Sequence, residues 1–319
     1  MISPLQRKKI KYYFLNTLSL LLPSFLYRFL LIKKLQKLSL HDAEYLWERV
    51  NYYNKIKHSF IYSQDAIQIS DFKKDGGTAY FFDFKKIIRH FPRHLKVSYL
   101  FGDVITVPQN PVFVKSRPIL SDNKNSILLK LNSIRHYNFV DDSIPYQNKK
   151  DQVVWRGAGF RQHRLDMLNQ FYLHPLCNVG RVDFEKKSEY DTLAVTLFKS
   201  KMTIPEQLQY KFILSIEGKD VATNLKWIMS SNSLCLMIKP KFETWFMEGL
   251  LEAGVHYVEL KDDYSDLIEK MQYYLEYEEQ ALQIIKNANN YVEQFKDEKR
   301  EQLIQLLVAQ KYFQQTGQF

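Results

Sequence analysis

Apolar residues in the second half of the chain alternate between short continuous runs and stretches with helical spacing. The runs at 153–159 and 211–216 are typical of buried strands that end in a glycine loop, and helices are predicted to follow them over about 162–172 and 221–229. A further strand is predicted over 233–238. Strands that alternate with helices form parallel sheets, so this half predicts an α/β fold.

The first half and the C-terminal tail give simpler patterns. Helical spacing predicts a helix over 41–60, and aromatic and β-branched runs predict strands over 80–84, 95–101, 127–131 and 137–140. The tail over 264–313 is predicted to be helical, with an interruption near 296–297. Because the 319 residues exceed the length at which a single core stops growing, about 250–300 residues, we expect two lobes. We divide the chain into an arm (1–40), two lobes (41–148 and 149–291) and a C-terminal helix (292–319).

The net charge of +10 is concentrated in the arm. Residues 1–40 contain no acid, whereas the rest of the chain has 37 basic and 35 acidic residues. The basic residues of the arm are Arg7, Lys8, Lys9, Lys11, Arg28, Lys33, Lys34 and Lys37. A nearly neutral body argues against nucleic-acid binding, which needs a basic stripe on the folded surface.

The arm is also rich in Leu and Phe, which raises the question of a membrane segment. Asn16, Pro23 and Arg28 interrupt the apolar run, which argues against a transmembrane span, and no small-residue cleavage site follows it. Two alternatives stay open. The arm is either an amphipathic helix on anionic lipid or a helix docked on its own protein.

Several reaction classes lack their sequence signatures. The two cysteines, Cys177 and Cys235, form no C-x-x-C motif, and the eight histidines show no metal-binding spacing, so we expect neither a disulfide framework nor a metal. No G-x-S-x-G and no P-loop occurs, which argues against the common hydrolases and kinases. The acids within 262–266 precede a helical pattern and are interpreted as caps rather than metal ligands. The sparing use of cysteine is typical of a cytosolic protein.

Two strand-loop-helix units are candidates for phosphate binding. Gly157 and Gly159 allow close backbone approach, and Arg156, Arg161 and Arg164 supply guanidinium groups near the start of a helix. In the second unit, Gly218 opens the loop and Lys226 lies in the following helix. Ordinary structural turns are the alternative for both units.

In the first half, Asp103 follows Gly102 at the end of a predicted strand, where a carboxylate either faces a cleft or caps a turn. The nearby stretch 115–118 is interpreted as an anchored basic turn. Three aromatic residues are candidates for stacking on sugar rings, with core packing as the alternative: Trp245, Phe246 and Tyr257.

These motifs, taken in order, resemble glycosyltransferase family 90. The resemblance covers about residues 70–295, and within the family it is strongest to bacterial lipooligosaccharide core hexosyltransferases of the lipopolysaccharide A protein type. It is carried by Phe101-Gly102-Asp103-Val104, Pro111, Lys115-Ser116-Arg117-Pro118-Ile119, Trp155-Arg156-Gly157, Asp220-Val221-Ala222-Thr223-Asn224, His256-Tyr257-Val258-Glu259-Leu260 and Ser265-Asp266-Leu267.

The resemblance implies a GT-B fold with two Rossmann-like lobes and inverting transfer of glucose or galactose from a UDP-sugar, without metal or other cofactor. It implies Asp103 as the general base on the acceptor-side lobe, 41–148. The implied donor-binding residues of the lobe 149–291 are Trp155, Arg156, Gly157, Arg164, Gly218, Val221, Ala222 and Lys226. Lys226 departs from the eukaryotic relatives, which have Arg there, and an ammonium cannot bind phosphate bidentately.

The implied acceptor is the inner core of lipooligosaccharide, reached from the cytoplasmic face of the inner membrane by a peripheral enzyme whose arm binds anionic lipid. Two alternatives are a relative that glycosylates another surface glycan and a non-catalytic membrane-associated protein.

Overall fold

The computed structural model describes residues 4–36, 40–183 and 197–318, and these residues form two compact units. Unit 1 comprises residues 1–137, 241–247 and 295–319, and unit 2 comprises residues 138–240 and 248–294. The C-terminal tail therefore belongs partly to each unit. The lobe boundaries predicted at 148/149 and 291/292 lie close to the observed boundaries at 137/138 and 294/295. The prediction did not include the segment 241–247, in which the chain returns to unit 1.

Unit 1 is built from helices and short strands. The helices are α1 (Pro4–Ser19), α2 (Ser24–Gln36), α3 (Leu40–Tyr53), α4 (Thr78–Ile88) and α5 (Ser133–His136). The strands are β1 (Ile67–Gln68), β2 (Lys96–Val97), β3 (Tyr99–Leu100), β4 (Val112–Val114), β5 (Ser116–Pro118) and β6 (Ser126–Leu128). Strands β3, β4 and β6 form a parallel sheet in the order β3-β4-β6.

Unit 2 is built on one five-stranded sheet. Its strands are β7 (Lys150–Gly157), β8 (Cys177–Arg181), β9 (Tyr210–Leu214), β10 (Leu234–Ile238) and β12 (Val258–Leu260), and the intervening β11 (Phe242–Thr244) belongs to unit 1. Its helices are α6 (Gln162–Phe171), α7 (Ile204–Gln207), α8 (Leu225–Met229), α9 (Leu267–Glu276) and α10 (Glu278–Glu293). The last helix, α11 (Glu298–Gln315), returns to unit 1.

The sheet of unit 2 is parallel throughout, in the order β8-β7-β9-β10-β12. Counted along the chain, this is the doubly wound order 2-1-3-4-5, in which the strand order reverses between β7 and β9. All residues of β9 and β10 are buried, as expected for central parallel strands covered on both faces. The predicted α/β fold with a parallel sheet and C-terminal helices is confirmed.

The helix predicted over 162–172 is confirmed as α6, whereas the helix predicted over 221–229 begins only at Leu225. A turn in which the Gly218 N–H donates to the Asp220 carbonyl occupies the preceding loop. The strand predicted over 80–84 is wrong, because these residues lie inside α4. Phe81, Phe84 and Ile88 recur at helical spacing and are buried together, so tertiary packing decides against the strand preference of aromatic residues.

Three smaller predictions also need correction. The helix predicted over 41–60 ends at Tyr53, and residues 137–140 form no strand. The stretch 115–118, interpreted as a basic turn, includes β5, which pairs antiparallel with β11. Arg117 is fully buried there and forms an ion pair with Glu243 at 2.7 Å. The structure thus uses this cation to join two strands of unit 1.

The predicted arm forms α1 and α2, which contact the rest of unit 1 through polar and aromatic groups. Tyr12 donates to Asp83 Oδ1 at 2.6 Å, and the Arg89 guanidinium donates to Ser19 and lies 3.3 Å from the ring centroid of Tyr27. Many apolar side chains of the arm are exposed, namely Ile10, Phe14, Leu15, Leu18, Leu20, Leu21, Leu22, Phe25, Leu26, Phe29 and Leu30. The structure does not describe the side chains of three further predicted cations of the arm, Lys33, Lys34 and Lys37. Within the described ranges, no helix is long and apolar enough to cross a bilayer.

Candidate functional site

Arg164 joins the two loops at the point where the strand order of unit 2 reverses. From α6, its Nη1 donates to the Ala158 carbonyl after β7, at 2.9 Å. Its Nη2 and Nε donate to the Ile216 and Glu217 carbonyls after β9, at 2.8 and 3.0 Å. Burial lowers the pKa of Arg164 to about 10, so the guanidinium stays charged at neutral pH. In doubly wound sheets, ligands bind outside the carboxyl ends of the strands at this reversal, so the geometry marks a ligand site.

The loop after β7 depends on its glycines. A Cβ at Gly157 would lie 2.5 Å from the ring of Trp155, and a Cβ at Gly159 would lie 2.7 Å from the side chain of Arg181. Either contact is too short for a side chain, so both positions require glycine. The backbone N–H of Gly159 donates to Asp183 Oδ1, which also accepts from Arg181. The loop is therefore held by the end of β8, with its backbone close to Arg164.

Of the predicted donor-binding residues in the loop after β9, Gly218 lies next to Arg164, whereas Val221 and Ala222 are buried. A Cβ added at Gly218 would lie 3.5 Å from Arg164 Nη2, so the Gly218 backbone is next to the guanidinium. Val221 and Ala222 are buried, so their side chains pack into unit 2. His163 Nε2 hydrogen-bonds to the Glu217 carbonyl at 2.9 Å, which adds a second contact from α6 to the same loop.

Lys226 is fully buried in α8 and forms an ion pair with Glu248. Glu248 opens a 3-10 turn (Glu248–Leu250) of the same unit. In the structure the ammonium thus faces a protein carboxylate instead of solvent. Its predicted contact with a diphosphate stays a prediction, and the pair is a contact that sequence reasoning did not anticipate.

Arg156 points to the edge strand of the sheet. Its guanidinium donates to the Asn178 carbonyl at 2.7 Å, to Asn178 Oδ1 at 2.8 Å and to the Ser200 carbonyl at 2.9 Å. These contacts join β7, β8 and residue 200 of unit 2. The structure therefore does not bring the Arg156 guanidinium onto the loops that Arg164 joins, and its donor-binding role stays a prediction.

Asp103 lies in unit 1, in an exposed loop that follows β3. Its Oδ1 accepts a hydrogen bond from Lys115 Nζ at 2.5 Å, and the Lys115 side chain is only 2% exposed. Burial, together with the Asp103 carboxylate, raises the pKa of the neighbouring Tyr80 phenol, while the Lys115 ammonium opposes that rise. The exposed Asp103 carboxylate is accessible to an incoming hydroxyl group, and Lys115 fixes its position.

The aromatic candidates for sugar stacking pack in the core. Trp245 and Phe246 are fully buried, and the Trp245 ring stacks on Tyr53 with centroids 3.7 Å apart. Tyr257 is 1% exposed. The core-packing alternative is confirmed for all three.

The acids within 262–266 hydrogen-bond to backbone. Asp263 Oδ1 accepts from the Ser265 N–H and Asp266 Oδ1 accepts from the Lys261 N–H, each at 3.0 Å. Asp266 stands at the N-cap position of α9, but its carboxylate closes the preceding turn rather than the helix end. In the described ranges no group of three or more His, Cys, Asp or Glu side chains is arranged to hold a metal ion.

Three polar residues of these sites escaped the sequence analysis: Glu248, Asp183 and, as a partner of Asp103, Lys115. Glu248 is 22 residues from its partner Lys226, and Asp183 lies beyond β8. Their pairing follows from tertiary structure. Only the position of Asp183, two residues after a parallel strand, resembles a signal that sequence reasoning can use.

The sheet order and the loops joined by Arg164 define an α/β protein of the doubly wound class. The sequence model of glycosyl transferase family 90 matches residues 130–310, a range that includes all of unit 2. The O-glucosyltransferase LpsA of Dichelobacter nodosus is 46% identical over 265 residues, which are 83% of this chain and 81% of that protein. The chain therefore belongs to glycosyltransferase family 90 and is a glycosyltransferase.

More distant relatives match shorter parts of the chain. Protein O-glucosyltransferase 3 of Homo sapiens is 30% identical over 148 residues, 44% of this chain and 27% of that protein. Uncharacterized protein 179R of Invertebrate iridescent virus 6 is 34% identical over 103 residues, 30% of this chain and 9% of that protein. The predicted family, and the predicted likeness to bacterial enzymes of the LpsA type, are confirmed.

Proposed function

We propose that the protein transfers a hexose, glucose or galactose, from a UDP-sugar to the inner core of lipooligosaccharide with inversion at the anomeric carbon. The observation that carries the donor part is Arg164, which joins the loops after β7 and β9 at the reversal of the strand order. Its charge and its contacts with Ala158 and Glu217 suit a leaving diphosphate near these loops. The name of the LpsA relative supports glucose as the first donor to test.

Arg164 and Lys226 have different parts in this proposal. The Arg164 guanidinium stabilises negative charge that develops on the leaving diphosphate. Lys226, paired with Glu248, stabilises the helix that follows the donor loop, and Arg156 supports the outer edge of the same sheet. Gly157, Gly159 and Gly218 keep the loop backbones open to the phosphates.

Asp103 is the proposed general base. It takes the proton from the acceptor hydroxyl while that oxygen bonds to the anomeric carbon and the bond from this carbon to the diphosphate oxygen breaks. UDP leaves with the electron pair, and attack opposite to it inverts the carbon. Lys115 keeps the carboxylate in place before the acceptor arrives. The mechanism requires the GT-B arrangement, with the base on one lobe and the donor on the other, and uses no metal.

The arm is proposed to hold the enzyme on the cytoplasmic face of the inner membrane. Exposed apolar side chains of α1 and α2 stand beside cations such as Arg7, Lys9 and Lys11, a combination that suits an anionic lipid surface. A lipid-anchored acceptor is found at such a surface.

Replacing Asp103 by Asn tests the base. Because general-base catalysis contributes typically about 10²–10⁴-fold, we expect turnover to fall by roughly that factor. UDP affinity should stay close to that of the unchanged protein, because Asp103 lies outside unit 2. The measurements are transfer to a lipooligosaccharide core fragment and calorimetric titration of UDP.

Asp122→Asn is the matched control, since Asp122 is an exposed carboxylate of the same unit that also pairs with a lysine. It should leave transfer unchanged. Full activity of a folded Asp103→Asn variant would exclude Asp103 as the base.

A panel of UDP-sugars and acceptors identifies the donor, and the same assays with and without EDTA test the metal-free mechanism. Transfer only to another glycan would favour the alternative acceptor.

A further inference from the structure

A cavity of about 560 Å³ lies within unit 1, between the arm and the elements on which the arm rests. Helix α1 forms one wall, and α4, α5 and α11 form the others. Its charged lining residues are Lys8, Lys11, Asp83, Lys86, Arg89, Lys130, Glu298 and Glu301. None of these residues belongs to the donor or base site described above.

The acids of the cavity are largely committed to other partners. Glu301 forms an ion pair with Arg49 at 3.0 Å and accepts from the Trp245 indole. Asp83 accepts from the Tyr12 hydroxyl and from the Ser133 N–H and hydroxyl. With Glu301 paired to Arg49, the five cations of the lining face two carboxylates, Asp83 and the exposed Glu298. The lining therefore has an excess of positive charge.

Lys130 is a partly exposed cation of the cavity lining. Its ammonium lies 4.9 Å from the ring centroid of Tyr137, and within the described ranges it donates no hydrogen bond and makes no ion pair. Burial lowers the pKa of Lys130, and the carboxylates of Glu301, Glu298 and Asp83 act from a distance in the opposite direction. Because Lys130 is partly exposed, its ammonium is accessible from the cavity, and an anion bound there would supply an acceptor that the protein does not.

The wall of the cavity continues into the exposed apolar surface of the arm. Leu15 lines the cavity and is 50% exposed, and Phe14 and Leu18, in the same helix, are also exposed. An amphiphile with an anionic head and acyl chains fits this combination, because its head can meet Lys130 while its chains cover the arm. A free inorganic anion would leave the apolar surface uncovered.

We infer that this cavity binds the phosphate head group of a single anionic phospholipid, with Lys130 and Lys8 as its phosphate ligands. The inference rests on the proposed attachment of the arm to the membrane. It adds to the general attraction for anionic lipid a specific binding site for one lipid head group. A bilayer is not needed to test it, because a short-chain phospholipid carries the same head group in solution.

The experiment is calorimetric titration of the full chain with dihexanoyl phosphatidic acid below its micelle concentration, and with inorganic phosphate. We expect a single saturable site for the phosphatidic acid and at least roughly tenfold weaker binding of inorganic phosphate. Lys130→Gln should weaken phosphatidic acid binding by about tenfold or more, because it removes a charge-assisted hydrogen bond. The variant should fold, since Lys130 makes no hydrogen bond that the substitution would break.

Lys73→Gln is the matched control, because Lys73 is an exposed cation of the same unit that lies outside the arm and does not line the cavity. It should leave phosphatidic acid binding unchanged. Equal losses in both variants, or none in Lys130→Gln, would overturn the site. Equal affinity for inorganic phosphate would overturn the lipid as its source. Failure of the proposed transferase would appear separately, as absence of hexose transfer by the unchanged protein.

Discussion

Arg164 does two jobs that are separable by substitution. Its three hydrogen bonds to carbonyl oxygens hold two loops together, and its charge is available to a ligand. Lysine keeps the charge but cannot reach all three carbonyls. We expect Arg164→Lys to lower the free energy of unfolding by about 2 kcal/mol and to weaken UDP binding.

Urea denaturation and calorimetric titration of UDP measure the two effects. Arg161→Lys is the stability control, because the Arg161 guanidinium lies over the Phe160 ring and has no described carbonyl partner. Unchanged stability in Arg164→Lys would mean that the loops do not depend on the guanidinium.

Asp83 makes stability depend on pH in a direction that is unusual for an acid. Burial raises the pKa of Asp83 from 3.8 to about 6, against the hydrogen bonds from Tyr12 and Ser133 that favour its charged form. Between these two values the native protein holds a proton that the unfolded chain has lost. This contribution to stability is therefore complete below about pH 4 and is lost as the pH rises through 6.

Asp83→Asn removes this titration and should flatten the profile. The free energy of unfolding of the unchanged protein, measured relative to the Asn variant, should fall by about 2 kcal/mol between pH 4 and pH 7. Urea denaturation at several pH values measures it. Parallel profiles for the two proteins would show that Asp83 does not titrate in this range.

At the scale of elements, helix α8 and the turn that starts at Glu248 are joined by a buried ion pair. Lys226→Met leaves the Glu248 carboxylate buried without its partner, which costs about 3–5 kcal/mol of unfolding free energy. The double variant Lys226→Met, Glu248→Met removes both charges and should recover most of that loss.

Thermal or urea unfolding of the single and double variants tests this coupling. If the double variant is as unstable as the sum of the two single ones, the residues do not interact. A donor KM that is restored together with stability would support the indirect role proposed for Lys226.

Element prediction succeeded where one pattern acted alone. The strands β9 and β10 are buried along their whole length and β7 is buried over 153–155, and no helical spacing competes with these short runs. Helix α4 was missed because the cluster of Phe81, Phe82 and Phe84 favours a strand over five residues, whereas the helical spacing appears only when Ile87 and Ile88 are included. The error arose because the stretch of sequence that was considered was too short to show the helical spacing.

The candidate site was only partly predictable for a related reason. Glycines and arginines beside strand ends can be seen in the sequence, so Arg164, Gly157 and Gly218 could be proposed from it. The partner of a charge cannot be read in this way, because Lys226 and Glu248 are joined only by the fold. The guanidinium of Arg156 likewise donates to Asn178 on the neighbouring strand, a partner that only the fold brings next to it.

At the scale of the whole molecule, the arm combines charge with exposed apolar surface. Substituting Gln for Arg7, Lys8, Lys9 and Lys11 should strongly reduce binding to anionic vesicles, because each well-placed charge contributes about 1 kcal/mol. Binding by the unchanged protein should fall but not vanish as salt is raised, since salt screens charges and leaves apolar contacts intact.

Co-sedimentation with vesicles of phosphatidylcholine, with and without phosphatidylglycerol, measures both effects. Transfer to a soluble acceptor fragment should survive the substitutions, because Asp103 and Arg164 lie outside the arm. Equal vesicle binding by both proteins would mean that the arm serves only its own fold.

The return of the chain to unit 1 has a consequence for its synthesis on the ribosome. Domains commonly fold in the order in which they emerge, the N-terminal one first. Here unit 1 needs β11 and the buried face of α11, including Ile304, Leu307 and Tyr312, whereas all of unit 2 precedes residue 295. The second unit can therefore complete its fold while the first, although begun earlier, still waits for the last helix to leave the exit tunnel.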